Sequence, residues 1–204
     1  MLVVLYALGA FLIGSIPFGY LIGRAFYRTD IRTQGSGNIG AMNALRTLGK
    51  PGAAAVLLLD AAKGFAPVYL LAVRGASHDA VAVVAAAAVA GHCFSPWLGW
   101  KGGKGVATSF GAIFALSWKA GLVSVGAWIL GSLVVTQYSS VGSMLGNVVS
   151  PISLYLFTGS IWYAAYGAAA AILIIYTHRE NIGRLRSGTE SRIGLFSKRQ
   201  TPRP

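Results

Sequence analysis

Long apolar runs with few charges recur along this chain and restrict its possible folds more than any other feature. The runs at 2–23 and 52–73 each reach the roughly 20 residues that a helix needs to cross a bilayer. Shorter or comparable runs follow at 80–98, 105–118, 120–136, 144–158 and 160–177. Because backbone groups in lipid must be satisfied internally, such runs form helices. The sequence therefore predicts an all-α integral membrane protein, a bundle of about seven transmembrane helices in one domain, 1–204.

The charge distribution supports this reading and predicts an orientation. Only 11% of the residues are charged, whereas soluble domains have about 25%. The net charge of +12 collects in the loop at 24–50 and in the tail from 178. Basic loops stay in the cytoplasm, so we predict an outer N-terminus, a cytoplasmic C-terminus and an odd number of spans. No basic groove with interleaved aromatic residues is seen, and nucleic acid is not an expected partner. Beyond about 190 the tail is predicted to be poorly ordered.

The predicted orientation gathers four polar segments at the cytoplasmic face. They lie at 24–50, 99–104, 137–143 and from 178 onward. The turns that fall on the outer face are short by comparison. A protein that acts on cytosolic solutes needs this asymmetry, and the candidate functional residues come from these segments.

The first polar segment carries the pattern G-x-G-x-x-G at 35–40. A dinucleotide-binding fingerprint requires a preceding strand, and here a membrane span precedes the pattern, so that interpretation is rejected. Glycines also let backbone N–H groups turn toward one anion. The polar side chains close to them in sequence are Ser36, Asn38, Asn43 and Arg46. The alternative is a flexible loop between helices.

The second polar segment places Lys101 and Lys104 among glycines at the start of an apolar run, downstream of His92. A helix start has free N–H groups and a positive dipole end, which favour anions. It is not a Walker A loop, because Leu98 replaces its first glycine and Gly105 replaces the Ser or Thr after the lysine. The alternatives are a basic topology anchor and, for His92, a buried structural imidazole.

The remaining two polar segments offer hydroxyl, imidazole and amide groups. The hydroxyls of Ser139, Ser140 and Ser143 can donate to phosphate oxygens, or can simply cap a helix. His178 and Asn181 share a face if the last helix continues into the cytoplasm. The alternative for that pair is an interfacial anchor.

Asp60 and Lys63 lie inside the second apolar run. Ionisable residues within a span are costly and usually face the interior of the bundle. The pair is either a buried structural ion pair or the support of a polar cavity.

Several absences narrow the chemistry. The sequence has no His-x4-Asp pattern, no G-x-S-x-G nucleophile elbow and only five acids. No cluster of His, Cys and acidic residues offers a metal site, and no metal or cofactor is predicted. A cationic site with many N–H donors and few bases suits phosphate binding and a reaction whose electrophile is already activated.

In this order, the segments resemble the bacterial acyl-phosphate-dependent glycerol-3-phosphate acyltransferases. The resemblance covers nearly the whole chain. It is carried by Gly35–Gly40 with Asn43 and Arg46, Gly91-His92 with Gly102–Thr108, Ser139–Ser143, and His178–Ile182 with Arg184, Leu185 and Gly188. Trp100 departs from the family, which often has Phe at this position.

The resemblance implies seven membrane helices, an outer N-terminus and a cytoplasmic active site in the bacterial inner membrane. It implies that the 1-hydroxyl of glycerol 3-phosphate attacks a fatty acyl phosphate, giving lysophosphatidic acid and phosphate for phospholipid synthesis. Besides these substrates and membrane lipids, no obligate protein partner is expected.

The resemblance also implies roles for individual residues. Lys104, His178 and Arg46 are the expected catalytic residues. The expected substrate-binding residues are Ser36, Gly37, Asn38, Gly40, Asn43, His92, Gly102, Gly103, Gly105, Thr108, Ser139, Ser143 and Asn181. The hydroxyl proton would pass to a substrate phosphate oxygen or to His178.

The rival function is a small channel or exporter for anionic solutes, which would explain a cationic inner vestibule and the intramembrane Asp60 and Lys63. A transporter also needs a polar path to the outer face, and the outer halves of these spans are apolar. A non-catalytic membrane scaffold would leave the four polar segments without a role.

Overall fold

The computed structural model describes residues 2–193, and every regular element within that range is helical. The elements, in chain order, are α1 (Leu2–Ser15), α2 (Phe18–Tyr27), α3 (Ala41–Thr47), α4 (Gly49–Ala72), α5 (His78–Cys93), α6 (Val106–Leu116), α7 (Trp118–Ile129), α8 (Ser139–Val148), α9 (Ser150–Thr158), α10 (Ile161–Thr177) and α11 (Arg179–Arg186). Short 3-10 turns cover Ile31–Thr33 and Pro96–Leu98, and a π-helical stretch, Leu130–Val135, extends α7. The prediction of an all-α membrane protein is confirmed.

The predicted apolar runs all become helices, but not all of them span a membrane by length alone. Five helical segments are long and apolar enough: Leu2–Tyr27, Gly49–Ala72, His78–Leu98, Trp118–Val135 and Ser139–Thr158. A sixth is obtained if α10 and α11, which meet at an angle of 57°, count as one span. The predicted run at 105–118 corresponds to the 11-residue α6. The count of seven spans and the orientation of the termini stay predictions.

The first span is interrupted at Pro17, between α1 and α2. Proline has no N–H and breaks the helical ladder, so nearby carbonyls need other donors in the membrane. Ser95 Oγ donates to Ser15 O at 2.7 Å, and Lys63 Nζ donates to Ile16 O at 2.7 Å. Trp97 Nε1 donates to Ser15 Oγ at 2.8 Å. The break is therefore held by side chains from α4 and from the segment that follows α5.

Close packing of α4 against α6 brings the start of α6 beside the ionisable residues of α4. A Cβ atom on Gly64 would collide with the carbonyl oxygen of Thr108, and one on Gly111 with that of Ala61. Small residues of this kind let two membrane helices approach until their backbones touch. This contact fixes the height of the loop before α6, where Lys104 lies, relative to Asp60.

Candidate active site

A polar cavity of about 200 Å³ lies where the loop after α2, the loop before α6 and α11 meet. It is lined by Arg32, Ser36, Gly37, Asn38, Ile39, Lys101, Gly102, Lys104, Glu180 and Arg184. Three of the four predicted polar segments therefore meet at one cavity. A larger cavity, of about 330 Å³, lies between α1 and α4, and its lining is apolar except for Arg74. Because it offers little polar chemistry, the smaller cavity is the candidate active site.

The first loop of the cavity, 31–40, is shaped by the side chain of Asn43. Asn43 Oδ1 accepts from Ser36 N at 2.8 Å, and its Nδ2 donates to Ile31 O at 2.7 Å and Gln34 O at 3.1 Å. Gly35 adopts a φ of 58°, a left-handed conformation that favours glycine. The buried amide of Asn43 therefore holds the shape of the loop, and its substrate contact stays a prediction.

The other polar residues of the first loop divide between the cavity and the loop itself. Ser36, Gly37 and Asn38, three of the predicted substrate-binding residues, line the cavity. Asn38 Oδ1 accepts from Gly40 N at 2.9 Å, and Gly40 caps the start of α3. Gly40 does not line the cavity and instead sets the direction in which α3 leaves the loop.

The second loop of the cavity is fastened to the end of α5. Gly103 N donates to His92 O at 2.9 Å, and Gly102 N donates to Cys93 O at 3.0 Å. The side of Gly103 lies against the His92 ring so closely that a Cβ atom would collide with Nε2. The sequence predicted free N–H groups here, but these two are already used. Glycine is needed at 103 for packing, which a simple topology anchor would not require.

Gly105, His92 and Thr108 lie behind the cavity rather than in its lining. Gly105, with a φ of 82°, turns the chain into α6. His92 is buried behind Gly103, and Thr108 is fully buried in the contact between α6 and Gly64 of α4. In this structure the three residues pack beneath the loop, and their substrate contacts stay predictions.

Lys104 reaches from the second loop to α11. Its Nζ donates to Asn181 Oδ1, and Thr177 Oγ1 donates to Lys104 O at 3.1 Å. Burial lowers the pKa of Lys104 to about 8, and the positive charge of Arg184 acts in the same direction. A partly desolvated ammonium of this kind gains from an anion in the cavity.

His178 lies at the junction where α10 ends and α11 begins. The chain bends there by 57° and continues as α11, so His178 lies at the bend and Asn181 lies in the first turn of α11. His178 Nδ1 lies 2.7 Å from Ile174 O. A carbonyl only accepts, so Nδ1 carries the proton and Nε2 is left as an acceptor. Burial lowers the pKa of His178 to about 4, assisted by the charge of Lys104, and the imidazole is neutral at pH 7.

Glu190 joins the polar segments in a way that the sequence did not reveal. Its Oε1 accepts from Asn181 Nδ2 at 2.6 Å and from Ser140 Oγ at 2.8 Å, and its Oε2 accepts from Arg184 Nε at 2.7 Å. Although burial opposes ionisation, these three hydrogen bonds hold the pKa of Glu190 below its usual value. The fourth polar segment, at 137–143, reaches the site through this carboxylate.

The other predicted serines and Arg46 are not part of the cavity lining. α8 begins after Tyr138, and no side chain caps its start. Ser139 therefore does not have the capping role that was the alternative to phosphate binding. Ser143 is buried within α8, and its carbonyl accepts from Asn147 Nδ2 at 2.9 Å. Arg46 is exposed on α3, and its charge contributes to lowering the pKa of Lys104.

Arg32 and Arg184 are cavity residues to which the sequence assigned no individual role. Arg32 Nη2 pairs with Asp30 Oδ2 at 2.7 Å, and its guanidinium lies 4.5 Å from the centre of the Tyr20 ring. Arg184 is held by Glu190. The sequence signal for both was a charge in a polar loop, which does not distinguish a topology anchor from a cavity residue.

The start of the predicted tail packs against the site. Ile193 is buried, and its N–H donates to Gln137 O at 2.8 Å. Together with Glu190, this fastens the chain after α11 to the turn before α8. The rest of the tail predicted to be poorly ordered, including Lys198, lies outside the described residues.

The chain is similar over nearly its whole length to known proteins. A family model described as "Glycerol-3-phosphate acyltransferase" matches residues 4–188. Proteins of that name from Synechococcus sp. (strain JA-3-3Ab) and Zymomonas mobilis are 46% and 43% identical, over 93% and 94% of this chain and 93% and 95% of theirs. Crystal structures of the integral membrane glycerol 3-phosphate acyltransferase PlsY (YgiH) superpose with TM-scores of 0.88 for its glycerol 3-phosphate form and 0.86 for its lysophosphatidic acid form. They are 37% and 36% identical, and each match covers 95% of this chain and 96% of the other.

Proposed function

Because this chain belongs to the glycerol-3-phosphate acyltransferase family, we propose that it transfers a fatty acyl group from an acyl phosphate to the 1-hydroxyl of glycerol 3-phosphate. The products would be lysophosphatidic acid and inorganic phosphate. The observation that carries the proposal is the cationic cavity. Four of its ten lining residues are Lys or Arg, against one acid, Glu180. Such a cavity favours phosphate groups, and both proposed substrates carry one.

The donor is proposed from what the cavity lining offers and lacks. The lining contains no Cys, His or Asp, and its one hydroxyl and one carboxylate, Ser36 and Glu180, have no His beside them in the lining to activate them. An acyl phosphate is a mixed anhydride, so its carbonyl carbon is already activated. The hydroxyl oxygen would attack that carbon, the bond to the phosphate oxygen would break, and phosphate would leave with the electron pair. Binding and orientation then supply most of the catalysis.

The proposed roles follow from the charges and donors at the cavity. Lys104 would pair with a substrate phosphate, with Ser36 and Asn38 as hydrogen-bond partners on the opposite loop. The hydroxyl proton would pass to a phosphate oxygen or to Nε2 of His178, which is neutral and has no protein donor among the described residues. Arg46 would act on the substrate charge from the cavity's edge. A channel for anions is not supported by family membership.

The donor is tested with purified protein, labelled glycerol 3-phosphate and two donors that share one acyl chain. We expect palmitoyl phosphate to give labelled lysophosphatidic acid and palmitoyl-CoA to give none above background, because the cationic cavity suits the phosphate leaving group and its lining has no Cys or His to activate a thioester. The shared palmitoyl chain makes each donor the control for the other. Comparable rates with the thioester would show that the proposed electrophile is wrong.

We further propose that the protein lies in the bacterial inner membrane with this cavity on the cytoplasmic side. The support is the basic loop at 24–50 and the basic segment after α10, which positive-inside counting keeps in the cytoplasm. Two exposed serines give a matched test after Cys93→Ala: Ser77→Cys before α5 and Ser187→Cys after α11. An impermeant thiol reagent should label Ser77→Cys in intact cells, and Ser187→Cys only after permeabilisation. The reverse pattern would invert the orientation.

A further inference from the structure

Three ionisable side chains that the proposed mechanism does not use are buried together beneath the cavity. Asp60, Lys63 and His92 are 1%, 4% and 3% exposed. Lys63 Nζ lies 2.7 Å from Asp60 Oδ1, and His92 Nδ1 lies 3.7 Å from the same oxygen. His92 Nδ1 has no hydrogen-bond partner among the described residues, whereas Asp60 Oδ1 is paired with the Lys63 ammonium. Ionisable groups at such a depth in a membrane protein are costly, and a buried polar atom without a partner requires an explanation.

Lys63 connects this cluster to the first loop of the cavity. Its ammonium donates to Ile16 O in the break between α1 and α2. The helix that begins after the break, α2, lies against the loop so closely that a Cβ atom on Gly19 would collide with Ile39 O. Ile39 lines the cavity beside Asn38. A shift of the break would therefore move the loop that carries Ser36 and Asn38.

His92 connects the same cluster to the second loop. Its ring lies against Gly103, and its carbonyl accepts from Gly103 N. Lys104 follows directly in the chain. A shift of the imidazole would therefore move the ammonium that we assign to a substrate phosphate. The two loops of the cavity are thus linked to opposite members of one buried cluster, with Asp60 between them.

We propose that Asp60, Lys63 and His92 are positioning residues that hold the two cavity loops at the separation that the phosphate of glycerol 3-phosphate needs. The inference rests on the proposed function only in placing that phosphate in the cavity. An ion pair that merely stabilised helix packing would leave substrate binding unchanged once the protein had folded.

Two sets of variants test the proposal. The double variant Asp60→Asn/Lys63→Met removes both charges together, which avoids a single unpaired buried charge. His92→Asn keeps an amide that can face Asp60 but removes the ring from Gly103. The control is Ser153→Ala, a buried serine whose hydroxyl donates only to Ser150 O. Each variant is assayed for thermal midpoint, for the midpoint shift that glycerol 3-phosphate produces, and for kcat and KM.

Asp60, Lys63 and His92 are called the triad below. We expect both triad variants, the double variant and His92→Asn, to bind glycerol 3-phosphate about tenfold more weakly, because misplaced loops hold the phosphate poorly. The weaker binding should appear as a higher KM and a smaller ligand-induced shift of the thermal midpoint. Ser153→Ala should behave as the parent. In a Lys104→Ala background, His92→Asn should have an effect of less than about threefold, because the two residues act through one loop. The thermal shift needs no acyl donor, so it tests the triad even if the proposed donor is wrong.

Two results would overturn the proposal. One is a folded variant of either kind with the parent's KM and ligand-induced shift. The other is an equal, additive effect of His92→Asn with and without Lys104, which would make the triad a structural element only. If the double variant does not fold, His92→Asn alone decides, since it leaves the pair between Asp60 and Lys63 in place.

Discussion

Replacing Lys104 by alanine is expected to lower kcat/KM by about tenfold to a hundredfold, because a hydrogen bond to a charged group is worth about 1.5–3 kcal/mol. The ammonium connects the second loop to α11, where it donates to Asn181 Oδ1. Without it, a substrate phosphate would lie partly desolvated beside the dipoles of the loop. The measurement is steady-state kinetics with palmitoyl phosphate and varied glycerol 3-phosphate.

The choice of control for Lys104 depends on the structure. From the sequence, Lys101 stands outside the glycine cluster and would serve, but it lines the same cavity. Lys50 is exposed at the start of α4 and does not line it. Lys50→Ala should keep nearly full activity, and neither variant should change the thermal midpoint strongly. Equal small losses in Lys104→Ala and Lys50→Ala would mean that Lys104 is only a topology anchor.

The sequence predicted the membrane fold well because the signal for it is local. A run of apolar residues shows its helical, lipid-embedded state without reference to the rest of the chain. The interruptions were harder to place. Pro17 breaks the first span because it has no N–H, and the break is tolerated because Ser95 and Lys63 donate to nearby carbonyls. Those partners are far away in sequence, so the pattern around Pro17 alone does not show that a break would be tolerated.

The candidate site could be predicted only in part, because contacts between residues distant in sequence decide which side chains face the cavity. Residues with a chemistry suited to phosphate were found by type, and Ser36, Asn38 and Lys104 do line the cavity. Residue type does not distinguish a group that faces the cavity from one that builds its wall. Asn43 has the same amide as Asn38, but its three hydrogen bonds go to backbone groups of the loop. Only the folded chain separates these roles.

Glu190→Ala is expected to lower kcat/KM by about a hundredfold or more, since three groups lose one acceptor and each unsatisfied polar group costs about 1–3 kcal/mol. Asn181 would be free to rotate away from Lys104, and Ser140 would no longer fasten α8 to the site. Arg184 would keep its charge beside Lys104 without a counterion. Repulsion between the two would lower the pKa of Lys104 further, so that a smaller fraction of this ammonium would be charged near neutral pH.

The stability of the same variant separates catalysis from folding. Glu190→Ala should lower the thermal midpoint, because it leaves the half-exposed Arg184 without its partner. The control is Asp79→Ala at the start of α5, which removes an acid remote from the cavity. It should change neither the thermal midpoint nor kcat/KM. Adding Arg184→Ala removes the unpaired charge and should restore part of the midpoint. Activity should stay low in that double variant, because Asn181 still lacks the carboxylate that orients it toward Lys104. Recovery of activity together with the midpoint would show that Glu190 stabilises the fold and does not organise the site.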